Sequence, residues 1–211
     1  MSPPRKPTAA ATSTRDAVFQ AAATLFSAKG FDGVGVDDIA RAADVNKAMI
    51  YYHFADKLAL YRAVVAEMLQ AMGDTVAAIA ASDETPPRKL DRFIEVFVRM
   101  TETRPWFPAV MLREISEGAP HLDVDTLVHL RSIVMAFAGL LAQGQAAGVF
   151  RQVHPILAYT SVVGPLVFNA ARERVAAQPG RPSQDLPMLV AIPHDEVIAH
   201  AQETARRMLT P

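Results

Sequence analysis

Two tyrosines, a histidine and two lysines lie close together in the first third of this 211-residue chain. Tyrosine hydroxyls, imidazole rings and lysine ammonium groups are common partners of nucleic-acid phosphates. Ala48 stands beside them, and a small side chain at the start of a helix permits close approach to base edges in a major groove. We therefore predict a DNA-binding surface that consists of Lys47, Ala48, Met49, Tyr51, Tyr52, His53 and Lys57.

Each of these side chains, taken alone, has a simpler interpretation. Tyr51 and Tyr52 also fit half-buried aromatic packing. His53 alone is more often a structural histidine, and Lys57 alone is more often a solvated surface charge. Only the combination of these residues at this spacing favours phosphate binding.

The sequence gives little support for catalysis or metal binding. It contains no glycine-rich phosphate loop and no nucleophile elbow. The acids that follow His121 are more typical of a helix start than of a ligand set. We therefore predict no enzymatic activity and no cofactor. We also predict no metal site, because the remaining histidines lack metal-ligand spacing: His129, His154, His194 and His200.

The composition indicates a globular protein with a sizeable core, since 51% of the residues are hydrophobic. The absence of cysteine excludes disulfides and thiolate metal sites and fits a reducing cytoplasm, which is where we expect the protein. We predict no membrane-spanning segment, because the longest apolar run, 156–171, is interrupted by Gly164-Pro165. With a net charge of -1, any DNA binding must depend on a local patch.

The first part of the chain predicts three short helices and the start of a fourth. Ser13 or Thr14 can cap the first helix, and Gly30 ends it. A tight turn separates the second and third helices; Asp44 tolerates its left-handed conformation and Asn46 is a strong N-cap. The predicted helices span 14–29, 36–43 and 47–53, with the fourth starting near residue 56, around a core of Phe26, Ile39, Ala40, Ala43, Val45 and Ile50.

The rest of the chain predicts a helical bundle. Apolar residues recur at helical spacing in segments that are separated by proline and glycine. The seventh helix, about 123–147, carries apolar residues on two faces and is expected to be buried on most sides. The fold class is therefore all-α, with about nine helices and three parts: a flexible arm at 1–12, a helix-turn-helix DNA-binding domain at 13–57, and a ligand-binding and dimerisation domain at 58–211.

The N-terminal pattern resembles the DNA-binding domain of the TetR family of bacterial transcriptional regulators. About 45 residues carry the resemblance, at regular spacing: AATLF at 22–26, Gly30-Phe31, Ile39-Ala40, Ala43, Val45, the run 50–54 and Lys57-Leu58. The resemblance implies that Lys47, Ala48 and Met49 read bases. It also implies that Tyr51, Tyr52, His53 and Lys57 hold phosphates, and that Ile50 and Phe54 are core residues.

The sequence departs from the family pattern at three places. Val34-Gly35-Val36 replaces the usual threonine or serine before the second helix, so a hydroxyl cap is missing. Asp44 and Asn46 replace the common turn glycine and serine cap, and both replacements are chemically reasonable. Met49 replaces a small polar residue, which suggests an apolar contact such as a thymine methyl group.

A helical bundle of this kind can hold a small molecule between its helices. Trp106 follows a helix break at Arg104-Pro105, where packing is irregular. The alternative for each candidate is a plain core or dimer contact. The candidate lining residues are Trp106, Phe107, Met111, Met135, Phe137, Tyr159, Phe168 and Asn169.

The last two helices are candidates for a homodimer interface. Small residues on the eighth helix permit close helix packing, and the family resemblance implies dimerisation through the same two helices. Two recognition helices one DNA turn apart, roughly 34–36 Å, read a palindrome. The predicted interface consists of Ala158, Ser161, Val162, Gly164, Pro165, Ala170, Val197, Ile198, Ala201, Ala205 and Met208.

Together these features predict a cytoplasmic, homodimeric, ligand-responsive regulator of transcription. We expect a repressor that a small apolar or amphipathic effector releases from a palindromic double-stranded DNA operator. One alternative is a constitutive or protein-gated DNA-binding regulator without an effector. Another is a helical small-molecule-binding protein, or an enzymatic bundle, whose N-terminal head is vestigial.

Overall fold

A computed structural model describes residues 13–176 and 192–211, and these residues form helices without a strand. The all-α prediction is confirmed for this part of the chain. The predicted arm at 1–12 and most of the predicted loop at 178–193 lie outside it. The helices are α1 Thr14–Lys29, α2 Val36–Ala42, α3 Lys47–His53, α4 Lys57–Ala81, α5 Pro86–Thr103, α6 Phe107–Glu117, α7 Val124–Ala146, α8 Pro155–Ala176 and α9 His194–Leu209.

The chain divides into two compact units, one that ends at Val64 and one that begins at Val65. The division falls within α4, seven residues after the boundary predicted at 57/58. The first unit thus contains α1 to α3 and the first two turns of α4. The second unit contains the rest of α4 and α5 to α9.

Local capping interactions define the ends of the helices in the first unit. Ser13 Oγ accepts a hydrogen bond from the Asp16 N–H at 3.1 Å and so caps α1, as predicted. Gly30 ends the helix with a φ of 76°, a value that favours glycine. The core is apolar, with Phe26, Ile39 and Ile50 essentially inaccessible to water.

The turn between α2 and α3 has the predicted geometry. Asp44 adopts a φ of 53°, in the left-handed region that aspartate tolerates. Asn46 Oδ1 accepts a hydrogen bond from the Met49 N–H at 2.9 Å and starts α3. Because these contacts lie within a few residues of each other, the sequence alone is enough to specify the turn.

In the second unit, α5 packs against α7, α8 and α9. Phe93 on α5 and Phe137 on α7 are fully buried, with ring centroids 5.0 Å apart. Lys89 is also buried, and its Nζ donates to the Ala80 carbonyl at 2.8 Å and to Gln143 Oε1 at 2.7 Å. A buried cation is tolerated here because acceptors compensate for its lost hydration.

The C-terminal helix is tied to two other elements. Gln202 Nε2 donates to the Asp91 carbonyl at 3.1 Å, and Arg206 forms an ion pair with the Asp91 carboxylate at 3.3 Å. The Arg151 N–H donates to the Leu209 carbonyl at 2.7 Å and joins the α7–α8 loop to the end of α9. These bonds fix α9 against α5 and leave one side of α8 and α9 open.

One expectation about the apolar helices was wrong. Helix α7 is not buried on most sides, because Val124, Val128 and Met135 are more than half exposed. Helices α4 and α7 are long and apolar enough to cross a membrane on length and composition alone, a feature that the sequence analysis did not identify. Core helices of soluble proteins meet the same criterion, so this finding is weak evidence for a membrane protein.

Two glycines of α7 provide a matched test of packing in the second unit. A Cβ added at Gly144 would collide with the Phe150 ring, whereas one added at Gly139 would meet no atom within 4 Å. We expect Gly144→Ala to lower the free energy of unfolding by about 1–3 kcal/mol through overpacking. Gly139→Ala is expected to raise it by about 0.5–1 kcal/mol through helix propensity. Denaturant unfolding followed by circular dichroism measures both, and equal effects would contradict this packing.

Candidate nucleic-acid interface and ligand cavity

Helix α3 presents its two tyrosines to solvent. Tyr52 is 80% exposed and Tyr51 is 48% exposed, while Ile50, which precedes them in the helix, is fully buried. Ala48 is also exposed near the N-terminus of the helix. The buried Ile50 anchors α3 in the head core, so the opposite face remains available with two hydroxyl groups and a small side chain.

Lys47 lies at the start of α3 and forms an exposed ion pair with Asp37 of α2, with Nζ 3.0 Å from the carboxylate. The hydrogen bond that Lys47 donates to the Asp37 carboxylate raises the pKa of Lys47, so the ammonium stays charged. Ion pairs between exposed side chains contribute little to stability. Lys47 can therefore exchange Asp37 for a phosphate or a base edge at small cost to the fold.

Met49 and His53 point outward less than the sequence predicts, because both are only partly exposed. The His53 ring lies edge-on to the Tyr52 ring with centroids 5.0 Å apart. Its Nε2 is buried and has no hydrogen-bond partner within the described residues. His53 thus supports the position of Tyr52, while its role as a phosphate ligand stays a prediction.

Lys57, at the start of α4, is committed to the loop between α1 and α2. Its Nζ donates to the Phe31 carbonyl at 3.0 Å and to the Val34 carbonyl at 3.1 Å. The ammonium also lies 4.0 Å from the centroid of the Phe31 ring, a cation–π contact. Lys57 therefore acts as a clamp within the first unit, and its predicted phosphate contact would have to be made in addition to these interactions.

The departure at Val34-Gly35-Val36 has a structural compensation. Gly35 is the N-cap of α2 in an extended conformation, and the Asp38 carboxylate reaches back to accept its N–H at 3.2 Å. This backbone bond and the Arg41 side chain lower the pKa of Asp38, which stays ionised near the positive end of the helix. The carboxylate thus stabilises the start of α2 through the Gly35 N–H, a different donor from the one that a serine or threonine hydroxyl would cap.

The second unit contains an apolar cavity of about 440 Å³ between α4, α5, α6, α7 and α8. Four of the eight predicted ligand-binding residues line it: Phe107, Met111, Tyr159 and Phe168. Its other lining residues were not predicted as ligand contacts: Leu69, Met72, Phe97, Met100, Pro108, Leu112, Ile115, Leu130, Ile133, Val134, Thr160, Val163, Gly164 and Val167.

The structure places the other four predicted residues outside this cavity. Trp106 is buried against Phe107, with ring centroids 5.9 Å apart, and Phe137 is fully buried in the core. Met135 is 57% exposed on the outer side of α7. Asn169 instead lines a separate groove of about 480 Å³ between α8 and α9. Of these four, Trp106 and Phe137 have the core role that was the alternative from the sequence.

Within the described residues, no group of three or more histidine or acidic side chains is arranged to hold a metal ion. The closest approach to a buried polar site is Glu114, only 1% exposed, whose carboxylate lies 2.8 Å from His121 Nδ1. This pair joins the end of α6 to the following loop. Glu114 is therefore a buried residue whose carboxylate holds the loop that follows α6.

Replacing Lys57 tests its structural role. Lys57→Met keeps most of the methylene stem and removes the donors to the Phe31 and Val34 carbonyls. We expect the free energy of unfolding to fall by roughly 1–3 kcal/mol, since two partly buried carbonyl groups lose their donor. Hydrogen exchange at residues 31–36, measured without DNA, should rise. The control is Lys29→Met, an exposed lysine at the end of α1; equal behaviour of the two variants would exclude the clamp.

Comparison with protein families supports the architecture in both units. Residues 18–64 match the model of the bacterial regulatory proteins of the tetR family. Residues 86–178 match the model of the tetracyclin repressor-like C-terminal domain. The two matches include α3, Lys57 and most of the residues that line the cavity.

Individual relatives agree with these models. The chain is 47% identical over 47 residues to the biofilm operon icaADBC HTH-type negative transcriptional regulator IcaR of Staphylococcus aureus, covering 22% of this chain and 25% of that protein. It is 38% identical over 73 residues to the probable HTH-type transcriptional regulator YttP of Bacillus subtilis, covering 35% of each. The chain thus spans only about a quarter to a third of the length of these relatives.

A solved structure extends the fold match to nearly the whole chain. The ketosteroid transcriptional regulator KstR2 of Mycobacterium tuberculosis superposes with a TM-score of 0.75 at 18% identity, covering 94% of this chain and 96% of that one. At this identity the likeness shows the fold alone. With both family models matched, the chain belongs to the TetR family of bacterial regulatory proteins.

Proposed function

We propose that this protein is a homodimeric, cytoplasmic repressor that leaves a palindromic operator when an apolar or amphipathic small molecule occupies the cavity of its second unit. The observation that carries the DNA-binding part is the face of α3. Its exposed hydroxyls and small side chain stand on a helix whose other face is anchored by Ile50. Lys47, Ala48 and Met49 select the bases, and Tyr51, Tyr52, His53 and Lys57 contact the phosphate backbone.

The exposure and the partners of the α3 side chains refine this assignment. Tyr52 is the strongest candidate for a phosphate ligand, because it is 80% exposed. Lys47 can contact DNA once its ammonium leaves the exposed carboxylate of Asp37. Half-buried Met49 offers a limited apolar surface, suited to a thymine methyl group. We infer that sequence selection depends on few atoms and that most of the affinity comes from phosphates.

The groove between α8 and α9 supports the dimer. Ser161 and Pro165 are exposed on α8, and partly exposed Val197, Ala201 and Met208 face the same groove from α9. The other predicted interface residues lie inside the protomer, with the exception of exposed Gly164. A second copy that packs on this groove would form a four-helix contact and place two α3 helices on one palindrome.

The cavity supports the effector part of the proposal. Its lining contains no charged side chain among the described residues, and its volume falls within the range of small-molecule sites. KstR2, which shares the fold, is named as a ketosteroid regulator. The relative IcaR is named as a negative regulator, in agreement with repression.

Release follows from population shift. An effector changes DNA affinity only if it binds more tightly to the conformation with lower DNA affinity. Helix α4 is the proposed link, because it supplies Lys57 to the first unit and Leu69 and Met72 to the cavity. Helix α6 is the proposed relay, since Phe107, Met111 and Ile115 line the same cavity.

Tyr52→Ala tests the DNA-binding face. We expect an unchanged free energy of unfolding, because the side chain is exposed, and a roughly tenfold weaker operator complex. The measurement is fluorescence anisotropy with a palindromic duplex selected from a random pool, at several salt concentrations and with the stoichiometry determined. Val124→Ala, an exposed apolar residue at the start of α7, is the control. A folded Tyr52 variant with wild-type affinity would contradict the role, and one protomer per palindrome would contradict the dimer.

Filling the cavity tests the effector response. Val134 lines the cavity and is partly exposed, so Val134→Trp adds bulk there with little disturbance of the core. Neutral lipophilic compounds that raise the melting temperature of the wild type should release the operator from the wild type but not from the variant. Both proteins should bind the operator equally in the absence of compound. If compounds stabilise the wild type but never release its operator DNA, the result would favour a constitutive or protein-gated regulator.

A further inference from the structure

The cavity in the second unit has almost no polar group with which to recognise a ligand. Of the eighteen described residues that line it, Tyr159 and Thr160 alone carry a side-chain oxygen, and none is charged. An entirely apolar lining would hold any molecule of the right size. Selectivity among apolar molecules must therefore come from one or both of these neighbouring hydroxyls on α8.

The Thr160 hydroxyl is already committed to its own helix. Its Oγ1 donates to the Ile156 carbonyl at 2.9 Å, with the Leu157 carbonyl at 3.2 Å. Threonine commonly makes this bond to the preceding turn, and it occupies the single hydroxyl proton. Thr160 consequently has no proton left to donate to a ligand.

The Tyr159 hydroxyl has no such commitment. No hydrogen bond to it occurs within the described residues, although most other polar groups near the core are paired. Its ring is held by two fully buried phenylalanines, with centroids 5.6 Å away for Phe137 and 6.4 Å away for Phe93. Neither phenylalanine lines the cavity, whereas Tyr159 does. The ring is thus fixed by the core on one side and adjoins the cavity on the other.

The protonation state of Tyr159 suits a donor. Burial raises the pKa of its phenol to about 12, so the proton stays on the oxygen throughout the physiological range. A neutral phenol donates a hydrogen bond readily and needs an acceptor oxygen as its partner. With no cationic side chain in the lining, a carboxylate would enter this cavity without charge compensation.

We propose that Tyr159 is the specificity-determining residue of the cavity and that it donates a hydrogen bond to the carbonyl oxygen of an uncharged, otherwise apolar ligand. This proposal rests on the proposed effector function and narrows its ligand class from apolar or amphipathic molecules to neutral carbonyl compounds. The aromatic core positions the hydroxyl before the ligand arrives. Recognition then requires little ordering of the side chain.

The test uses three small probes of similar size with the full-length protein: butyrophenone, butylbenzene, in which a methylene group replaces the carbonyl, and the anion 4-phenylbutanoate. Each competes with N-phenyl-1-naphthylamine, a neutral dye whose fluorescence rises in apolar sites. The quantity of interest is the ratio of the butylbenzene to the butyrophenone dissociation constant. This ratio cancels differences in general cavity shape.

Tyr159→Phe keeps the ring and removes the hydroxyl. We expect the ratio to fall roughly fivefold to tenfold in this variant, as befits one lost hydrogen bond, while the dye binds as in the wild type. Thr160→Val, which removes the neighbouring committed hydroxyl, is the matched control and should leave the ratio unchanged. In the wild type, 4-phenylbutanoate should bind more weakly than butyrophenone.

Three results would overturn the proposal. They are an unchanged ratio in Tyr159→Phe, an equal fall in Thr160→Val, or tighter binding of the anion than of the ketone. Failure of the effector function looks different. If butyrophenone binds in a Tyr159-dependent manner but never releases operator DNA, the recognition stands and the coupling to DNA fails. If no probe or dye binds the wild type, both fail.

Discussion

The DNA-binding unit depends on one cluster in which a lysine and three aromatic rings hold the chain between α1 and α4. The Tyr61 ring packs edge-on against Phe26 and Phe31, with centroids 4.9 Å and 5.2 Å away. Lys57 closes the cluster over Phe31 and donates to two carbonyls of the α1–α2 loop. Because α2 starts at the end of this loop, the cluster fixes where α2 begins. The turn at Asp44 then fixes α3.

This arrangement leaves the exposed face of α3 free for another partner. In the α2–α3 turn, Asn46 accepts the hydrogen bond that caps α3. At the start of α2, the Asp38 carboxylate accepts the N–H of Gly35. None of the α3 tyrosines is needed for these bonds, so their hydroxyls remain in solvent. The division of labour explains why a chain with a net charge of -1 can serve as a DNA-binding protein. The proposed binding surface depends on a few groups, chiefly the exposed tyrosines Tyr51 and Tyr52 and the exposed ion pair of Lys47, and not on general positive charge.

Features that depend on neighbouring residues were predicted correctly from the sequence. Contacts between residues far apart in the chain could not be predicted in this way. The caps at Ser13 and Asn46 act within three residues, so the sequence contains the whole interaction. The partners of Lys57 lie 23 and 26 residues earlier, and the sequence analysis considered only a phosphate contact or a solvated charge for that lysine. Helical periodicity also leaves the orientation of an apolar helix open. Met135 and Phe137 both qualified as ligand contacts, yet one is exposed and the other is in the core.

The second unit concentrates its buried polarity at helix junctions and away from the cavity. Lys89 joins α5 to α4 and α7, and Asp91 joins α5 to α9. Glu114 joins the end of α6 to the next loop through His121. Each buried charge needs compensation, so such groups sit where a neighbouring helix offers a partner. The described residues that line the cavity include no charged side chain, and of their two hydroxyls Thr160 bonds to its own helix while Tyr159 has no internal partner. The same requirement that stabilises the bundle thus leaves the cavity apolar, which is the basis of the proposal that it takes uncharged ligands.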